Sequence, residues 1–246
     1  MKTLLIAAGL TACTLCSADT YVQPAERLAI VGDSITEQRL YSTYIETYLR
    51  ACAPQLGAQT IQLGWGGETA PGFFCRMEWD LMAWKPTLAT ICYGMNDGYY
   101  RAANEETTRW YREGIERILA RLSKDGARAV VGTPGVVDSD NWNPGDPAAD
   151  QTYNETLRLL GEEGRKLAAT YKFPVAEVHE VMMKVMVETK KAYGHDYPLA
   201  GRDGVHPAPN GHLCMAYAFL KAMGLDGNLA TFTVTWTPNT NAVFYV

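Results

Sequence analysis

Three side chains whose types together could perform acyl transfer occur in two short segments of the sequence. Residues 32–34 read Gly-Asp-Ser and residues 203–206 read Asp-Gly-Val-His. A serine that follows an apolar run can project its hydroxyl from a strand-to-helix turn, and a three-residue spacing lets one turn hold both Asp203 and His206. Asp203 could then orient one imidazole nitrogen while the other faces Ser34. This is the arrangement of nucleophile, base and orienting group in acyl transfer.

Two further segments offer the hydrogen-bond donors that a developing oxyanion requires. Residues 64–69 read Gly-Trp-Gly-Gly-Glu-Thr and residues 94–97 read Gly-Met-Asn-Asp. Glycines let backbone N–H groups approach a ligand closely, and the Asn96 amide can donate from its side chain. The backbone N–H of Ser34, near the start of a predicted helix, is another donor.

Each of these segments also has a purely structural interpretation. The Gly-Asp-Ser and glycine-rich segments could be ordinary turns, Asn96 and Asp97 could cap a helix, and Asp203 with His206 could be a loop pair or half of a metal site. No third ligand accompanies that pair, so the sequence favours no metal. The order of the four segments, each at a predicted strand end or in a late loop, favours chemistry. The remaining histidines are alternative bases: His179, His195 and His212.

Alternating strands and helices must position these segments. Short apolar runs predict strands at residues 28–31, 60–63, 88–93, 127–131 and 174–178, and helical spacing predicts helices at residues 38–52, 73–84, 104–123, 148–171, 179–193 and 209–223. Five strands separated by helices predict an α/β protein in which a parallel sheet has helices on both faces. In such sheets ligands bind beyond the carboxyl ends of the strands, which is where the chemical segments fall.

The composition is that of a globular protein with one large domain. A chain of 246 residues is long enough for a single domain or for a domain with a small appendage. Hydrophobic residues make up 47% of it and charged residues 20%, which excludes disorder. Its net charge is −5 and no basic run stands out, so nucleic acid and anionic membrane surfaces are poor partners.

Residues 1–18 have the features of an export signal. Lys2 precedes an uncharged, largely apolar stretch, and residues 16–18 read Cys-Ser-Ala, which places small side chains before a cleavage point. The stretch is too short to span a bilayer. Residues 10–13 read Leu-Thr-Ala-Cys and resemble a bacterial lipobox, which would make Cys13 a lipid-anchored terminus. We expect a secreted or periplasmic protein; lipid anchoring and a buried helix of the fold are the alternatives.

We place the catalytic domain at residues 19–226 and a β-hairpin tail at residues 227–246. The tail alternates apolar residues with threonines, turns at residues 238–241 and ends on an apolar strand, so it could be the start of a further region. Four cysteines would remain after export, and the sequence leaves their three possible pairings open: Cys52, Cys75, Cys92 and Cys214.

Over residues 28–223 the sequence resembles the SGNH hydrolases, also called the GDSL esterase/lipase family. Gly-Asp-Ser at residues 32–34 matches the first block of that family, Gly67 the second, Gly-x-Asn-Asp at residues 94–97 the third, and Asp-x-x-His at residues 203–206 the fifth. One position departs from the pattern, because the second block often opens with Asn and Gln62 is the nearest amide here. The departure weakens the expected hydrogen bonds around that block, but not the assignment of Gly67.

The resemblance implies a flavodoxin-like, three-layer α/β/α sandwich with a five-stranded parallel sheet, and it implies serine esterase chemistry without a cofactor. Ser34 would be the nucleophile, His206 the base and Asp203 the group that orients it. The oxyanion hole would consist of the backbone N–H groups of Ser34 and Gly67 and the side-chain amide of Asn96.

Aromatic and polar residues concentrate in the loops after the second to fourth strands, where they would suit a sugar: Trp65, Tyr93, Tyr99, Tyr100, Arg101, Asn141, Trp142 and Asn143. We predict that Asp33, Trp65, Tyr99 and Trp142 bind substrate. The predicted reaction removes a small acyl group, with acetyl as the expected one, from a carbohydrate. The alternatives are a lipid esterase such as a lysophospholipase and a non-catalytic carbohydrate-binding relative. The oligomeric state stays open.

Overall fold

The computed structural model of the protein describes residues 20–142, 149–225 and 227. Its centre is a five-stranded sheet in the order β2-β1-β3-β4-β5, and every pair of neighbouring strands is parallel. The strands are β1 (Arg27–Gly32), β2 (Gln59–Gly64), β3 (Leu88–Cys92), β4 (Arg128–Gly132) and β5 (Val175–Ala176). This strand order is the flavodoxin-like one, so the predicted fold class is confirmed.

Seven α-helices connect or follow these strands within the described residues. They are α1 (Ser34–Glu37), α2 (Leu40–Cys52), α3 (Ala70–Asp80), α4 (Glu105–Lys124), α5 (Ala149–Tyr171), α6 (Val178–Tyr193) and α7 (Pro209–Ala222). Short 3-10 helices lie at Pro54–Leu56 and Met82–Trp84. Because the sheet is parallel, every strand-to-helix connection leaves from the same edge, which we call the carboxyl edge.

The strands alternate their side chains between two apolar layers, which makes the molecule a three-layer sandwich. Leu28 and Ile30 of β1 belong to the layer that contains α2, α6 and α7, whereas Ala29 and Val31 belong to the layer that contains α3 and α4. Helix α5 contributes to both layers. All four β1 residues are fully buried, as expected for a central strand that is covered on both faces.

Helix α3 and strand β5 differ in extent from their predicted ranges for local reasons. Helix α3 begins at Ala70 instead of residue 73, because Thr69 caps it: the Thr69 hydroxyl accepts the Gly72 N–H at 3.3 Å, and Pro71 occupies the first turn. Strand β5 has two residues instead of five, since helix α6 already begins at Val178. Helix α3 also ends at Asp80 instead of residue 84, and Met82–Trp84 form a separate 3-10 turn.

The cysteines of the described residues are all free thiols, so none of the three pairings is present: Cys52, Cys75, Cys92 and Cys214. Cys92 is buried at the end of β3, where burial raises the pKa of its thiol well above the ordinary value. No helix in residues 20–142 or 149–225 combines the length and apolar character needed to cross a membrane. The predicted export signal and the predicted hairpin lie outside the described residues.

Candidate active site

Ser34 lies at the point where β1 leaves the sheet and α1 begins. Asp33 has an extended backbone conformation and caps this short helix, since its carboxylate accepts the Ile35 N–H at 3.0 Å. Ser34 is therefore the first helical residue, whose backbone N–H has no partner within the helix. The sequence places a small hydroxyl and a free N–H together at the carboxyl edge.

The position of Asp33 does not support the predicted contact with substrate. Only 3% of the residue is exposed, and its carboxylate caps the helix that begins at Ser34. Burial raises the pKa of Asp33 to about 7, while the Ile35 hydrogen bond and the nearby His206 ring act in the opposite direction. Asp33 thus holds the start of the helix that carries the nucleophile.

His206 reaches Ser34 from the loop that precedes α7. Its Nε2 atom lies 2.8 Å from the Ser34 hydroxyl oxygen, and its Nδ1 atom lies 2.7 Å from the Asp203 carboxylate. An ionised carboxylate only accepts hydrogen bonds, so Asp203 fixes the proton on Nδ1 and leaves Nε2 as the acceptor for the Ser34 hydroxyl. The structure brings the three side chains together in the order that general-base activation of a serine requires.

Backbone hydrogen bonds hold Asp203 in this orientation. Its second carboxylate oxygen accepts the N–H groups of Val205 at 3.0 Å and of His206 at 2.9 Å. Partial burial acts to raise the pKa of Asp203, but these two N–H groups and the His206 ring outweigh it, so the pKa lies below its ordinary value. Gly204 between them has a left-handed backbone (φ +72°), and a Cβ there would lie 2.4 Å from backbone and side-chain atoms of Trp142. The turn therefore requires glycine.

The predicted oxyanion donors lie on the two loops that flank Ser34. Gly67 follows β2 with a left-handed backbone (φ +73°) and open space on its Cα. The Asn96 amide nitrogen donates to the Glu68 carbonyl at 3.0 Å, and the Asn96 amide oxygen accepts from the Tyr100 hydroxyl at 3.2 Å. An asparagine amide carries two N–H bonds, so one N–H of Asn96 is left for a ligand.

Asp97 ties these two loops together from inside the protein. One carboxylate oxygen accepts the Ala70 N–H and the other accepts the Gly94 N–H, each at 2.9 Å. Burial raises the pKa of Asp97 to about 7; the charge of Asp33 acts in the same direction and the two backbone N–H groups oppose it. Asp97 thereby joins the start of α3 to the turn that carries Asn96.

A partly buried ion pair that sequence reasoning missed braces the Gly67 loop. The Arg76 guanidinium donates to both carboxylate oxygens of Glu68 at 2.6 Å, and the Tyr93 hydroxyl donates to the same carboxylate at 2.7 Å. Arg76 also donates to the Leu63 carbonyl at 3.0 Å, which links the loop to the end of β2. These partners come from three different elements, so no local spacing signals them.

The predicted sugar-binding aromatics divide into exposed and structural residues. Trp65 is 61% exposed above the Arg76 guanidinium, and Tyr99 is 49% exposed. Trp142 is partly buried, with its ring 6.0 Å from that of Tyr100. Tyr93 is a core residue, stacked on Phe73, and Asn141 donates to Asp138 within its own loop. Asn143 lies outside the described residues.

The other histidines of the described chain do not face Ser34. His212 is fully buried between the Tyr41 N–H and Gln38. His179 is buried against the Gly135 carbonyl, and His195 is exposed beside Asp140. No group of three or more His, Cys, Asp or Glu side chains in the described residues could hold a metal ion.

A doubly wound sheet that carries a hydrogen-bonded serine, histidine and aspartate at its carboxyl edge is typical of a hydrolase. Residues 30–213 match the model of the GDSL-like Lipase/Acylhydrolase family, and the chain belongs to this family. It is a carboxylic ester hydrolase.

Individual relatives share both sequence and fold with the chain. An acetylxylan esterase of Geobacillus stearothermophilus is 26% identical over 223 residues, which are 82% of this chain and 95% of the relative. The structure of Axe2, an acetylxylan esterase from the same organism, superposes with a TM-score of 0.67 at 21% identity and covers 83% of this chain and 96% of its own.

A gut microbial diltiazem-metabolizing enzyme superposes with a TM-score of 0.72 at 25% identity over 82% of this chain. The chain spans about half of that protein, 47% of its length. The α/β hydrolase LAE5 from the Lake Arreo metagenome has a TM-score of 0.68 at 21% identity and covers 85% of this chain and 99% of its own.

Proposed function

We propose that the protein removes acetyl groups from a carbohydrate through an acyl-enzyme in which Ser34 is the nucleophile. The observation that carries the proposal is the 2.8 Å contact between the Ser34 hydroxyl and His206 Nε2 at an edge that also exposes aromatic rings. The acetylxylan esterase relative and the family both support an acyl ester as substrate.

The first half of the reaction acylates the enzyme. His206 Nε2 accepts the Ser34 proton as the Ser34 oxygen attacks the ester carbonyl, and Asp203 stabilises the resulting imidazolium. The carbonyl oxygen becomes an oxyanion that accepts from the N–H groups of Ser34 and Gly67 and from the Asn96 amide. His206 then donates its proton to the sugar oxygen as the carbon–oxygen bond breaks, which leaves acetyl-Ser34 and a free sugar hydroxyl.

The second half of the reaction regenerates the free enzyme, and the same groups transfer the protons. A water molecule donates its proton to His206 Nε2 and attacks the acetyl carbonyl, and the same three N–H donors stabilise the second oxyanion. The bond to Ser34 breaks, Ser34 recovers the proton from His206, and acetate leaves. No cofactor enters either half of this proposed mechanism.

A carbohydrate substrate agrees with the surroundings of Ser34. Rings at this edge present an apolar face together with a polar rim, as in Trp65 over Arg76 and Tyr99 beside Arg101. A sugar offers apolar C–H faces and many hydroxyls, so such rings suit it. A lipid esterase would instead need a broad apolar groove for an acyl chain.

Export is part of the proposal and rests on residues 1–18 alone. An esterase outside the cytoplasm would meet polysaccharides directly. Mass spectrometry of the mature protein from its native host tests this point. A terminus at Asp19 indicates plain secretion, a lipid-modified Cys13 indicates anchoring, and an unprocessed chain that remains in the cytoplasm contradicts export.

The deciding experiment compares acetate release from acetylated xylan and pectin with hydrolysis of an aryl ester series from acetate to octanoate. We expect acetate release from a polysaccharide, rates that fall as the acyl chain grows, and loss of nearly all activity in Ser34→Ala. Rates that rise to octanoate without acetate release would favour a lipid esterase. Binding to polysaccharide without any ester hydrolysis would favour a non-catalytic carbohydrate-binding protein.

A further inference from the structure

A cleft opens beside the loop that carries Asn96. It has a volume of about 100 Å³ and is lined by Tyr99, Arg101, Glu106, Thr107 and Trp110. The first two residues belong to the loop after β3 and the other three to the first two turns of α4. Asn96 and Tyr99 are joined directly, because the Tyr99 N–H donates to the Asn96 carbonyl at 3.1 Å.

Trp110 is exposed in a way that helix packing does not explain. The buried stripe of α4 runs through Thr107, Tyr111, Ile115 and Ile118, and Trp110 stands at its margin. Trp110 has the helical spacing of the apolar positions Ile118 and Leu122 of α4, yet 49% of the residue is exposed. Its position in the wall of a cleft is what distinguishes Trp110 from a singly exposed ring such as Trp79, because ligand clefts are lined by aromatic side chains.

Tyr99 also lines the cleft and is likewise 49% exposed. The Arg101 guanidinium lies 5.3 Å from the centre of its ring. Tyr99 and its neighbour Tyr100 both have left-handed backbones, with φ of +54°. Consecutive left-handed residues other than glycine are rare and persist where their surroundings hold them, often at ligand sites.

The side chains that line the cleft indicate which class of ligand it binds. Two half-exposed rings offer apolar faces, the Arg101 guanidinium only donates hydrogen bonds, and the Glu106 carboxylate only accepts them. A pyranose ring matches this set, because its C–H faces are apolar and its hydroxyls both donate and accept. We propose that this cleft binds the sugar ring next to the acetylated one in a polysaccharide. The proposal rests on the proposed function, and it adds the position and residues of a separate subsite.

Two tryptophan variants test the subsite directly. Trp110→Ala removes the half-exposed ring of the cleft. Trp79→Ala is the matched control, because Trp79 is 79% exposed near the end of α3, at the opposite edge of the sheet from Ser34. Binding of unacetylated xylohexaose is measured by calorimetry and by tryptophan fluorescence, and acetate release is measured on acetylated xylo-oligosaccharides and on an aryl acetate.

We expect Trp110→Ala to weaken xylohexaose binding about fivefold to tenfold and to raise KM for the acetylated oligosaccharide by a similar factor. Its effect on the aryl acetate should be smaller, and Trp79→Ala should match the wild type in every assay. Equal oligosaccharide binding by Trp110→Ala and Trp79→Ala, or no xylohexaose binding by the wild type, would overturn the subsite. Failure of the wild type to release acetate from any carbohydrate would instead overturn the proposed function.

Discussion

Asn96 shows how little freedom a single side chain of this site has. Its amide nitrogen donates to the Glu68 carbonyl and its amide oxygen accepts from the Tyr100 hydroxyl, so contacts at both ends set the orientation of the amide plane. Glu68 is in turn held by Arg76 and Tyr93. A donor that is fixed before substrate arrives needs no reorganisation in the transition state, which is the source of its catalytic value.

Replacement of Asn96 by alanine should remove this donor. If the remaining N–H binds only the transition-state oxygen, Asn96→Ala lowers kcat by about 10²- to 10³-fold and changes KM little. Steady-state kinetics on an aryl acetate measures kcat and KM separately. A large rise in KM with an unchanged kcat would show that Asn96 binds the substrate in its ground state.

The Tyr100 hydroxyl should matter through Asn96. Tyr100→Phe keeps the ring but removes the hydrogen bond to the Asn96 amide oxygen, so the amide becomes less well oriented. We expect kcat to fall about threefold to tenfold with KM nearly constant, as the loss of one neutral hydrogen bond predicts. Tyr217→Phe is the control, since Tyr217 is an exposed tyrosine of α7. Equal kinetics of the two variants would contradict a positioning role for Tyr100.

At the scale of elements, the site depends on how α7 and its preceding loop dock onto the start of α2. The loop carries Asp203 and His206, and α7 follows directly with His212. His212 accepts the Tyr41 N–H on Nδ1 and donates from Nε2 to Gln38, both of which lie just after the Ser34 helix. The two segments that hold the nucleophile and the base are thus joined by a buried imidazole.

The buried His212 imidazole should make the stability of the protein depend on pH. Burial lowers the pKa of His212 to about 4, because a protonated ring could not accept the Tyr41 N–H and would be charged in the core. The unfolded chain takes up the proton first, so the contribution of neutral His212 is complete above a pH of about 6.5 and is lost as pH falls toward 4.

Comparison of the free energy of unfolding in wild type and His212→Gln checks that dependence. The wild type should have the larger free energy of unfolding at pH 7, and its excess over His212→Gln should shrink by about 2–3 kcal/mol between pH 7 and pH 4. Urea denaturation at several pH values measures this difference. His195→Gln, which alters an exposed histidine, should show no such change. A wild-type advantage that stays constant with pH would show that His212 does not remain neutral in the fold.

The turn between Asp203 and His206 offers a second test at this scale. Gly204→Ala combines a left-handed backbone with a clash against Trp142, whereas Gly57→Ala meets the same backbone requirement in open space. We expect Gly57→Ala to cost about 1 kcal/mol of stability and to leave activity intact. Gly204→Ala should cost more and should also lower kcat, because the turn holds His206. Thermal unfolding with parallel kinetics distinguishes the two, and equal effects of both variants would contradict the clash.

At the scale of the whole molecule, an aromatic cluster at the carboxyl edge is assembled from distant parts of the chain. Tyr100 follows β3, Trp142 follows β4 and Tyr153 lies on α5, yet their rings lie within 6.0 Å of each other. The parallel sheet makes this possible, because each strand delivers its connection to the same edge. Tyr153 is fully buried, so its ring supports the more exposed rings of Tyr100 and Trp142, and Trp142 lies against Gly204 of the turn that carries His206.

Within this aromatic cluster, Trp142 is the residue whose replacement tests a contact with the sugar. Trp142→Phe keeps an aromatic ring against Tyr100 and Tyr153 but reduces the area available to a sugar. We expect kcat/KM on acetylated xylan to fall about threefold to tenfold, with a smaller effect on an aryl acetate, because stacking holds the distal sugar and not the reacting carbonyl. Equal losses on both substrates would indicate a structural role for the ring.

The sequence by itself determined the architecture and the location of the chemistry. Apolar runs and helical spacing predicted the five strands and six of the seven helices, since these patterns report local burial. Short motifs after β1, β2 and β3 predicted a common edge, because parallel strands bring their carboxyl ends together. These patterns did not predict the brief helix at Ser34, because a single capping hydrogen bond defines it. They also did not predict the short extent of β5, because its pairing with β4 sets that extent.

Only the tertiary structure decided which side chains touch. Ser34 and His206 are 172 residues apart, and Glu68 meets Tyr93 from 25 residues away, so no local pattern encodes either contact. Packing also buried Asp33 at the start of the Ser34 helix and left Trp110 half exposed on a helix whose apolar spacing predicts burial. Periodicity specifies which face of an element is apolar, but the neighbouring elements determine how much of that face is covered.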